Sequence, residues 1–263
     1  MGAPEATQPK RVASRIRPAA FHLLGSTVVA GLGTLLLVWL WYPYPHNRLA
    51  GGLELMAIML SVDIVLGPVL TLVVAAPGKL MRALARDMAV IVVVQLFALG
   101  YGLHVLAAAR PIGLVFEVDQ MRVVSAADID PDMLGQAPEP ALRSLPWLGP
   151  RTFAAIKPAD PAELAEAMVA GLSGIDLAML PRCWRDYDSQ RAAVLAKSRP
   201  TALLLQRYPD AAGELQAIAS SAGATTAQLR FLPLRSRRTN DWVTVVAEPD
   251  ARIVGHLHRD GFF

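Results

Sequence analysis

Apolar residues are concentrated in three long runs near the N-terminus. The runs extend from Ala19 to Trp41, from Leu53 to Ala76 and from Met88 to Ala109. Each is long enough to cross a bilayer, which takes about 20 residues in an α-helix. A cleaved signal peptide is the alternative for the first run, but this run is longer than the apolar core of a signal peptide and ends in aromatic residues, not at a small-residue cleavage site. The pattern therefore predicts a membrane protein with three transmembrane helices.

After residue 110 the apolar runs are short and alternate with polar segments. The stretch GLVFEVDQMRVVSA contains two β-rich runs separated by Asp119 and Gln120, which is typical of a β-hairpin. In DPAELAEAMVAG, Asp160 is a good N-cap, with a proline at the first helical position and Glu163 at the capping-box position. Gly171 is the expected helix stop. A hairpin and then a helix are therefore predicted to begin the C-terminal part.

The rest of the chain continues the mixture of helices and strands. Helical patterns cover about residues 189–207, interrupted at Pro200, and about residues 210–222. Three strand-like runs follow, AQLRFLPL, DWVTVVAE and ARIVGHLH. The sequence thus predicts an N-terminal tail at 1–18, a three-helix transmembrane region at 19–110 and an α+β domain at 111–263.

The distribution of charge predicts the orientation in the membrane. Residues 1–110 contain nine Lys/Arg and four Asp/Glu, whereas residues 111–263 contain sixteen and eighteen, so the net charge of +3 comes from the first part. This distribution argues against nucleic-acid binding and favours contact with membrane lipids. The basic residues cluster before the first span and between the second and third, with only Arg48 in the other loop. The N-terminus is therefore expected in the cytoplasm and the C-terminal domain in the periplasm, across a bacterial inner membrane.

No catalytic or cofactor-binding motif is present in the sequence. It has no Gly-rich phosphate loop, no nucleophile elbow and no cysteine with a suitably spaced histidine. The single cysteine, Cys183, is expected to be a buried or spare thiol. His256 and His258 would share one strand face, but no third metal ligand is indicated, and we interpret them as an exposed strand end. Arg235–Arg238 could meet lipid headgroups or an acidic partner, although a solvated turn is the simpler interpretation. We predict a non-enzymatic protein without metal or cofactor.

One carboxylate, Asp63, lies in the middle of the second predicted span. A charge there costs about 2.5 to 3.5 kcal/mol on insertion scales, so Asp63 is expected to be protonated or to face a polar partner such as Thr34 or Tyr101. Gly67 lies four residues further along the same helix face and allows a neighbouring helix to approach. Pro68 leaves the carbonyl of the fourth residue before it without its usual helical donor. The pattern predicts a polar notch that either locks the three helices together or receives a helix of another protein.

Several short motifs occur in an order that resembles the type IV pilin accessory proteins, usually called TfpX or TfpZ. They are WYPYP, GGLEL, SVDIVLGPVLTLVV, APGK, DMAVIVVVQLFALGYG, ARP, VFEVDQMRVVSAADID and SLPWLGP. The resemblance spans nearly the whole chain and is weakest after about residue 150. It implies an inner-membrane protein that helps a type IV pilin to be assembled or displayed without being a pilus subunit itself. No prepilin leader is found, as expected for such a protein.

The resemblance implies a type IV pilin as the partner, together with the pilus assembly machinery. We expect a pilin chaperone or assembly modulator whose membrane groove holds the apolar pilin helix and whose periplasmic domain contacts the pilin head. Positions that match the recurring motifs provide the candidate residues. For the groove these are Asp63, Gly67, Pro68, Gln95 and Tyr101, and for the periplasmic contact Ser125, Asp128 and Asp130.

Two other functions remain open at this stage. A transmembrane sensor or regulatory subunit with a periplasmic ligand-binding domain would require a cytoplasmic output domain, and only a short tail and one loop are expected there. A membrane enzyme that modifies pilins would need clustered acidic residues at the membrane surface. Only SAADIDPD suggests such a cluster, and helix-capping aspartates explain that stretch more simply.

Overall fold

A computed structural model describes the backbone of residues 8–74 and 80–263. Side chains are described over the same ranges except at residues 8–18, 62, 63, 81 and 84. Residues 75 and 76, at the end of the second predicted span, lie outside the described part of the chain.

The N-terminal half is helical, as predicted. The helices are α1 (Gln8–Trp41), the short α2 (His46–Leu49), α3 (Gly52–Val74) and α4 (Met81–Ala109). Within the described residues, three segments are long and apolar enough to cross a membrane, namely Ala19–Trp41, Gly52–Val74 and Ala85–Ala109. The described helices thus confirm the three-helix prediction. At its N-terminal end α1 extends into the residues assigned from sequence to a tail.

The chain forms two compact units. One contains the helical residues up to Leu40 together with Gly52–Ala107, and the other contains Trp41–Gly51 together with Ala108–Phe263. The sequence predicts a single division after residue 110, so the grouping of Trp41–Gly51 with the C-terminal residues is a difference. It arises because Tyr42 and Leu49 are fully buried and Leu49 packs into the core of the second unit.

The second unit is built on one mixed β-sheet. Its strands are β1 (Pro111–Glu117), β2 (Gln120–Ser125), β3 (Arg151–Ala155), β4 (Trp184–Asp186), β5 (Arg199–Pro200), β6 (Leu229–Arg235), β7 (Trp242–Ala247) and β8 (Arg252–Leu257). The order is β4-β3-β1-β2-β6-β7-β8, with β5 paired to β6. The pairs β1–β3 and β2–β6 are parallel and the others are antiparallel. The predicted hairpin is β1–β2, and its turn lies at Val118 and Asp119 because Gln120 already pairs with Glu117.

Helices and short 3-10 segments cover this sheet. The helices are α5 (Pro161–Leu172), α6 (Arg191–Lys197), α7 (Thr201–Arg207) and α8 (Ala212–Ala222). The side chain of Asp160 caps α5 by accepting from the amide of Glu163 at 3.0 Å, as the sequence predicts. Gly171 is not the stop, because the helix continues to Leu172 and the chain turns at Gly174 with φ of +84°. The α+β class of this unit is confirmed.

Candidate functional site

A hydrogen-bonded network joins the three long helices inside the first unit. The Nδ1 atom of His22 in α1 lies 2.7 Å from the hydroxyl of Thr71 in α3, and its Nε2 atom lies 3.0 Å from the side-chain oxygen of Gln95 in α4. The Thr71 hydroxyl also donates to the carbonyl of Gly67 at 2.9 Å. Thr71 is fully buried. Polar contacts of this kind hold helices together in an apolar environment, where no water competes for them.

Gly67 is the point of closest approach in this network. A Cβ atom at Gly67 would lie 2.4 Å from Nε2 of Gln95 and 3.0 Å from Nε2 of His22. Gly67 and Pro68 are both buried. The sequence predicts that a neighbouring helix approaches at Gly67, and in this structure the neighbours are the chain's own first and third long helices. The space that a partner helix was expected to enter is therefore already filled.

The other predicted groove residues are placed differently. Asp63 belongs to the helical backbone of α3, but its side chain lies outside the described residues. Its Cα is about 12 Å along the axis from that of Thr71, since eight residues separate them at 1.5 Å each. Tyr101 is 72% exposed and is not brought together with Gly67 and Gln95. Tyr101 lies six residues after Gln95, so the two side chains point about 120° apart around the helix axis. Thr34 donates to the carbonyl of Ala30 in its own helix at 2.8 Å.

The three predicted periplasmic contact residues stabilise the loop after β2. The Asp128 carboxylate accepts from the amide of Ser125 at 2.8 Å, and its other oxygen lies 2.9 Å from Nε of Arg237. Asp130 accepts from the amide of Asp132 at 3.0 Å. The Asp128 side chain is only 2% exposed, whereas that of Arg237 is 68% exposed. Local capping therefore accounts for these aspartates, in agreement with the interpretation of SAADIDPD as a loop with capping aspartates.

Arg237 belongs to an arginine-rich groove beside the β6–β7 turn. The groove has a volume of about 820 Å³, and four arginines and two aspartates line it together with Ser236, Thr239, Asn240 and Phe262. The charged lining residues are Arg122, Arg235, Arg237, Arg238, Asp241 and Asp260. The Ser236 amide donates to the Thr239 carbonyl at 2.9 Å, which fixes the turn. A concave surface with this excess of guanidinium groups suits a carboxylate or another anion.

Arg122, which also lines this groove, is held by carboxylates within the domain. Its side chain is 7% exposed, forms an ion pair with Asp176 and lies 4.0 Å from Glu117. Glu117 accepts from the amide of Ala178 at 3.1 Å, and burial raises the pKa of its carboxyl group. The charge of Arg122 is thus balanced internally, and that of Arg237 by Asp128, so Arg235 and Arg238 supply most of the basic character of the groove.

His256 lies in β8 and is partly buried, whereas His258 directly follows the strand and is exposed, so the interpretation as an exposed strand end fits only His258. Nδ1 of His256 lies 3.2 Å from the Thr244 hydroxyl, and Nε2 of His258 lies 2.8 Å from the Asp241 carboxylate. The side chain of His46 is 7% exposed, and both of its ring nitrogens lack hydrogen-bond partners among the described residues. Burial lowers the pKa of both His46 and His256 to about 4, so both are neutral at neutral pH. No group of three metal-ligating side chains occurs within the described part of the chain.

Cys183 is buried, as expected of a spare thiol. Burial raises its pKa, which disfavours the nucleophilic thiolate form.

Sequence reasoning missed His22 and Thr71, although both carried a signal. His22 is an ionisable residue within the first apolar run, and Thr71 lies four residues after Gly67, on the same helix face. Polar residues inside a span are costly and usually face other helices. The same reasoning that selected Asp63 could therefore have selected both residues.

Comparisons with known proteins give consistent matches. The family model described as fimbrial assembly protein FimB matches residues 10–51. A fimbrial assembly protein of serogroup I from Dichelobacter nodosus is 29% identical over 245 residues, covering 93% of this chain and 95% of the relative. The serogroup E1 protein of the same organism is 30% identical over 249 residues, again covering 93% and 95%. The protein of serogroups C1 and C2 is 35% identical over 119 residues, which cover 45% of this chain and 91% of the relative. No solved structure matches the chain significantly.

Proposed function

Because the chain belongs to the fimbrial assembly protein family, we propose that it is an accessory protein of a type IV pilin, a membrane chaperone or modulator of pilin assembly and surface display. The main evidence is the similarity to the serogroup E1 fimbrial assembly protein over 93% of this chain. The family confirms the resemblance to type IV pilus accessory proteins and gives the chain a role in pilus assembly. Its three apolar helices associate it with a membrane. The identity of the pilin as the client is the proposed part.

The proposed orientation places the protein in the inner membrane with a cytoplasmic N-terminus and a periplasmic C-terminal domain. The positions of the lysines and arginines support this orientation. The grouping of Trp41–Gly51 with the C-terminal residues supports it as well. Three successive crossings would bring the first loop and the C-terminal domain to the same side of the membrane.

In the membrane, the proposed mechanism uses a helix bundle held together by hydrogen bonds and a lipid-facing surface on which the pilin helix docks. The network of His22, Thr71 and Gln95 keeps α1, α3 and α4 together, and the carbonyl of the buried Gly67 accepts a hydrogen bond from Thr71 within it. A pilin helix would dock on the outward side of α4.

Phe97 and Tyr101 present this outward side, because they lie four residues apart on one helix face and are 78% and 72% exposed. Tyr101 lies about 12 Å from the end of α4 at Ala109, within the hydrocarbon layer. A hydroxyl at that depth is favoured where a partner helix can accept its hydrogen bond.

The periplasmic part of the proposed mechanism uses the arginine-rich groove. Its excess of guanidinium groups suits an acidic surface on the folded head of a pilin. Asp128 pairs with Arg237 and so helps to position it in the groove. Ser125 and Asp130 contribute indirectly, because they hold the loop that carries Asp128. We propose a non-catalytic role because the only acidic cluster singled out in the sequence is used for capping.

Surface pilin relative to total membrane pilin tests this function. A clean deletion strain is compared with strains that carry the intact gene, Asp63→Asn or Arg237→Ala. The proposal expects the deletion to lower surface pilin while pilin remains in the membrane, and the intact gene to restore it. Unchanged surface pilin in the deletion strain would overturn the proposal. Loss of function in Asp63→Asn at normal protein level would support a client-facing role for Asp63, whereas loss of the protein itself would indicate bracing.

Site-specific photo-crosslinking tests the contact with the pilin helix. A crosslinking side chain is placed at Phe97 or Tyr101 on α4, and Leu36 of α1, which is 57% exposed, provides a matched lipid-accessible control. The proposal expects pilin adducts from both α4 positions and few from Leu36. Equal adducts from all three positions, or adducts from Leu36 alone, would contradict the docking face but not the role in assembly.

A further inference from the structure

Two exposed apolar side chains, Trp147 and Leu148, lie in the loop that precedes β3. Trp147 is 65% exposed and Leu148 is 75% exposed. Neighbouring apolar residues of this loop behave differently, since Leu142 is buried and Leu145 packs against the hydrophobic core beside β1 and β3. The exposure of Trp147 and Leu148 is therefore a local feature, with a buried attachment directly before it in the chain.

Trp147 is fixed to the end of the third span by Arg110. The guanidinium carbon of Arg110 lies 4.6 Å from the centre of the Trp147 ring, and its Nε donates to the carbonyl of Pro146 at 3.4 Å. Arg110 directly follows Ala109, the last residue of α4, and is only 8% exposed. A cation over an indole face in a site shielded from water is a favourable contact. The indole ring therefore lies next to the side chain of the first residue after the third span.

The backbone around this pair is also held in place. The Nε of Arg143 donates to the carbonyl of Ala137 at 2.8 Å, and Arg151 donates to the carbonyl of Ala141 at 2.7 Å. Gly149 turns the chain back with φ of +64°, a conformation that glycine adopts without strain. The loop thus presents Trp147 and Leu148 from a supported base.

We propose that Trp147 and Leu148 insert into the interfacial layer of the membrane and anchor the second unit to the lipid surface. The main evidence is that Arg110, at the end of the third span, contacts Trp147 of this exposed Trp-Leu pair. The interfacial layer is about 5 to 7 Å thick on each side, and tryptophan is enriched there because its ring is apolar and its N–H is polar. Trp39, which is 76% exposed near the end of α1, would lie at the same interface after three alternating crossings.

The arginine contact defines a different role for Arg110. Its guanidinium group is covered and faces the ring, so it positions Trp147 and is not itself available to lipid headgroups. The proposed partner is therefore the boundary between headgroups and acyl chains, and not a phosphate ion. This inference rests on the membrane spans and not on the identity of the pilin.

Fluorescence quenching of the full-length protein in phosphatidylethanolamine–phosphatidylglycerol vesicles tests the insertion. In a Cys183→Ala background, Leu148→Cys is labelled with an environment-sensitive fluorophore, and Leu172→Cys provides a control at an apolar position that is 91% exposed. The proposal expects severalfold stronger quenching by nitroxide lipids at position 148 than at 172, and the reverse with aqueous iodide. Equal iodide access at both positions would overturn it. If protection at 148 arises only when pilin is co-reconstituted, the surface binds a protein and the lipid assignment is wrong.

A second measurement avoids the labelled cysteine. Brominated lipids quench tryptophan, and the difference between the intact protein and Trp147→Phe isolates the signal of Trp147 from the other four tryptophans. The proposal expects Trp147 to contribute to the lipid-quenched fraction, and Arg110→Gln to reduce that contribution without releasing the protein from the membrane. A lipid-quenched fraction that is identical with and without Trp147 would overturn the insertion.

Discussion

Substituting Gly67 by alanine tests whether the helix network described above stabilises the bundle. The new methyl group would lie 2.4 Å from Nε2 of Gln95, so the amide must move and its 3.0 Å contact with His22 is lost. Interhelical hydrogen bonds in membrane proteins contribute about 0.6 kcal/mol on average and up to about 1.7 kcal/mol. Alanine recovers part of this loss, because glycine in a helix is less stable by about 0.5 to 1 kcal/mol. We therefore expect a net destabilisation of up to about 1 kcal/mol.

Gly100 provides the matched control. It lies in α4, and a Cβ atom there would meet no described heavy atom within 4 Å. Gly100→Ala is expected to leave stability unchanged or to raise it by about 0.5 to 1 kcal/mol. The assay is equilibrium unfolding of the full-length protein in mixed micelles, followed by the accessibility of engineered cysteines in α1 and α4.

A double substitution identifies the cause. If Gly67→Ala acts by displacing Gln95, the double variant Gly67→Ala/Gln95→Ala should be no less stable than Gln95→Ala alone, because the hydrogen bond is already absent. Additive losses would refute this explanation. Equal stability of Gly67→Ala and Gly100→Ala would show that the close approach at Gly67 has no energetic role.

Three further predictions concern the second unit, and unfolding of the full-length protein in detergent measures each of them. Asp128→Ala removes a loop cap and the partner of Arg237, and we expect a loss of about 1 to 2 kcal/mol, whereas Arg237→Ala should cost less than about 1 kcal/mol because Arg237 is largely exposed; equal losses would contradict this reasoning. The folded state keeps His46 and His256 neutral, so stability should be fully retained above the ordinary histidine pKa near 6.5 and should fall as the pH drops toward about 4. The expected loss is up to about 3 kcal/mol for each histidine. His46→Phe should reduce this acid sensitivity, and an unchanged pH profile in that variant would argue against the explanation. Arg122→Met leaves Glu117 buried near Asp176 without its cation, and we expect a loss of stability of about 3 to 5 kcal/mol. The loss should be smaller in the double variant with Glu117→Gln, and additive losses in the double variant would contradict this explanation.

Hydrophobic patterning was sufficient to predict the three spans and most of the strands. The runs around Leu53 and Met88 are too long and apolar for anything but a spanning helix, and the alternation around Gln120 is clear. By contrast, β3 and β4 were missed, because Arg151–Ala155 and Trp184–Asp186 are only five and three residues long. Strands this short depend on their neighbours in the sheet, β3 on β1 and β4 on β3, and local sequence does not reveal these pairings.

The candidate site was predicted only in part, for a geometric reason. Sequence spacing shows which residues share a face of one helix, so Gly67 and Thr71 could be grouped within α3. It does not give the rotation of one helix relative to another, and this rotation decides that Gln95 faces His22 while Tyr101 points outward. The arginine-rich groove was also predicted only in part, because the run Arg235–Arg238 is visible in the sequence whereas the contribution of Arg122 is not. Arg122 and Arg235 are distant in the chain, and the parallel pairing of β2 with β6 places them opposite each other.

The burial of Leu49 has a consequence for how the protein is made. Leu49 lies between the first and second spans, yet it belongs to the same buried cluster as Leu114, Leu232 and Trp242, which are synthesised after all three spans. The C-terminal segment therefore cannot complete its core until the segment before α3 has reached the same side of the membrane. In the proposed topology, insertion of α1 thus becomes a step in the folding of the second unit, and a chain with Leu49 and the C-terminal segment on opposite sides of the membrane would lack this core contact.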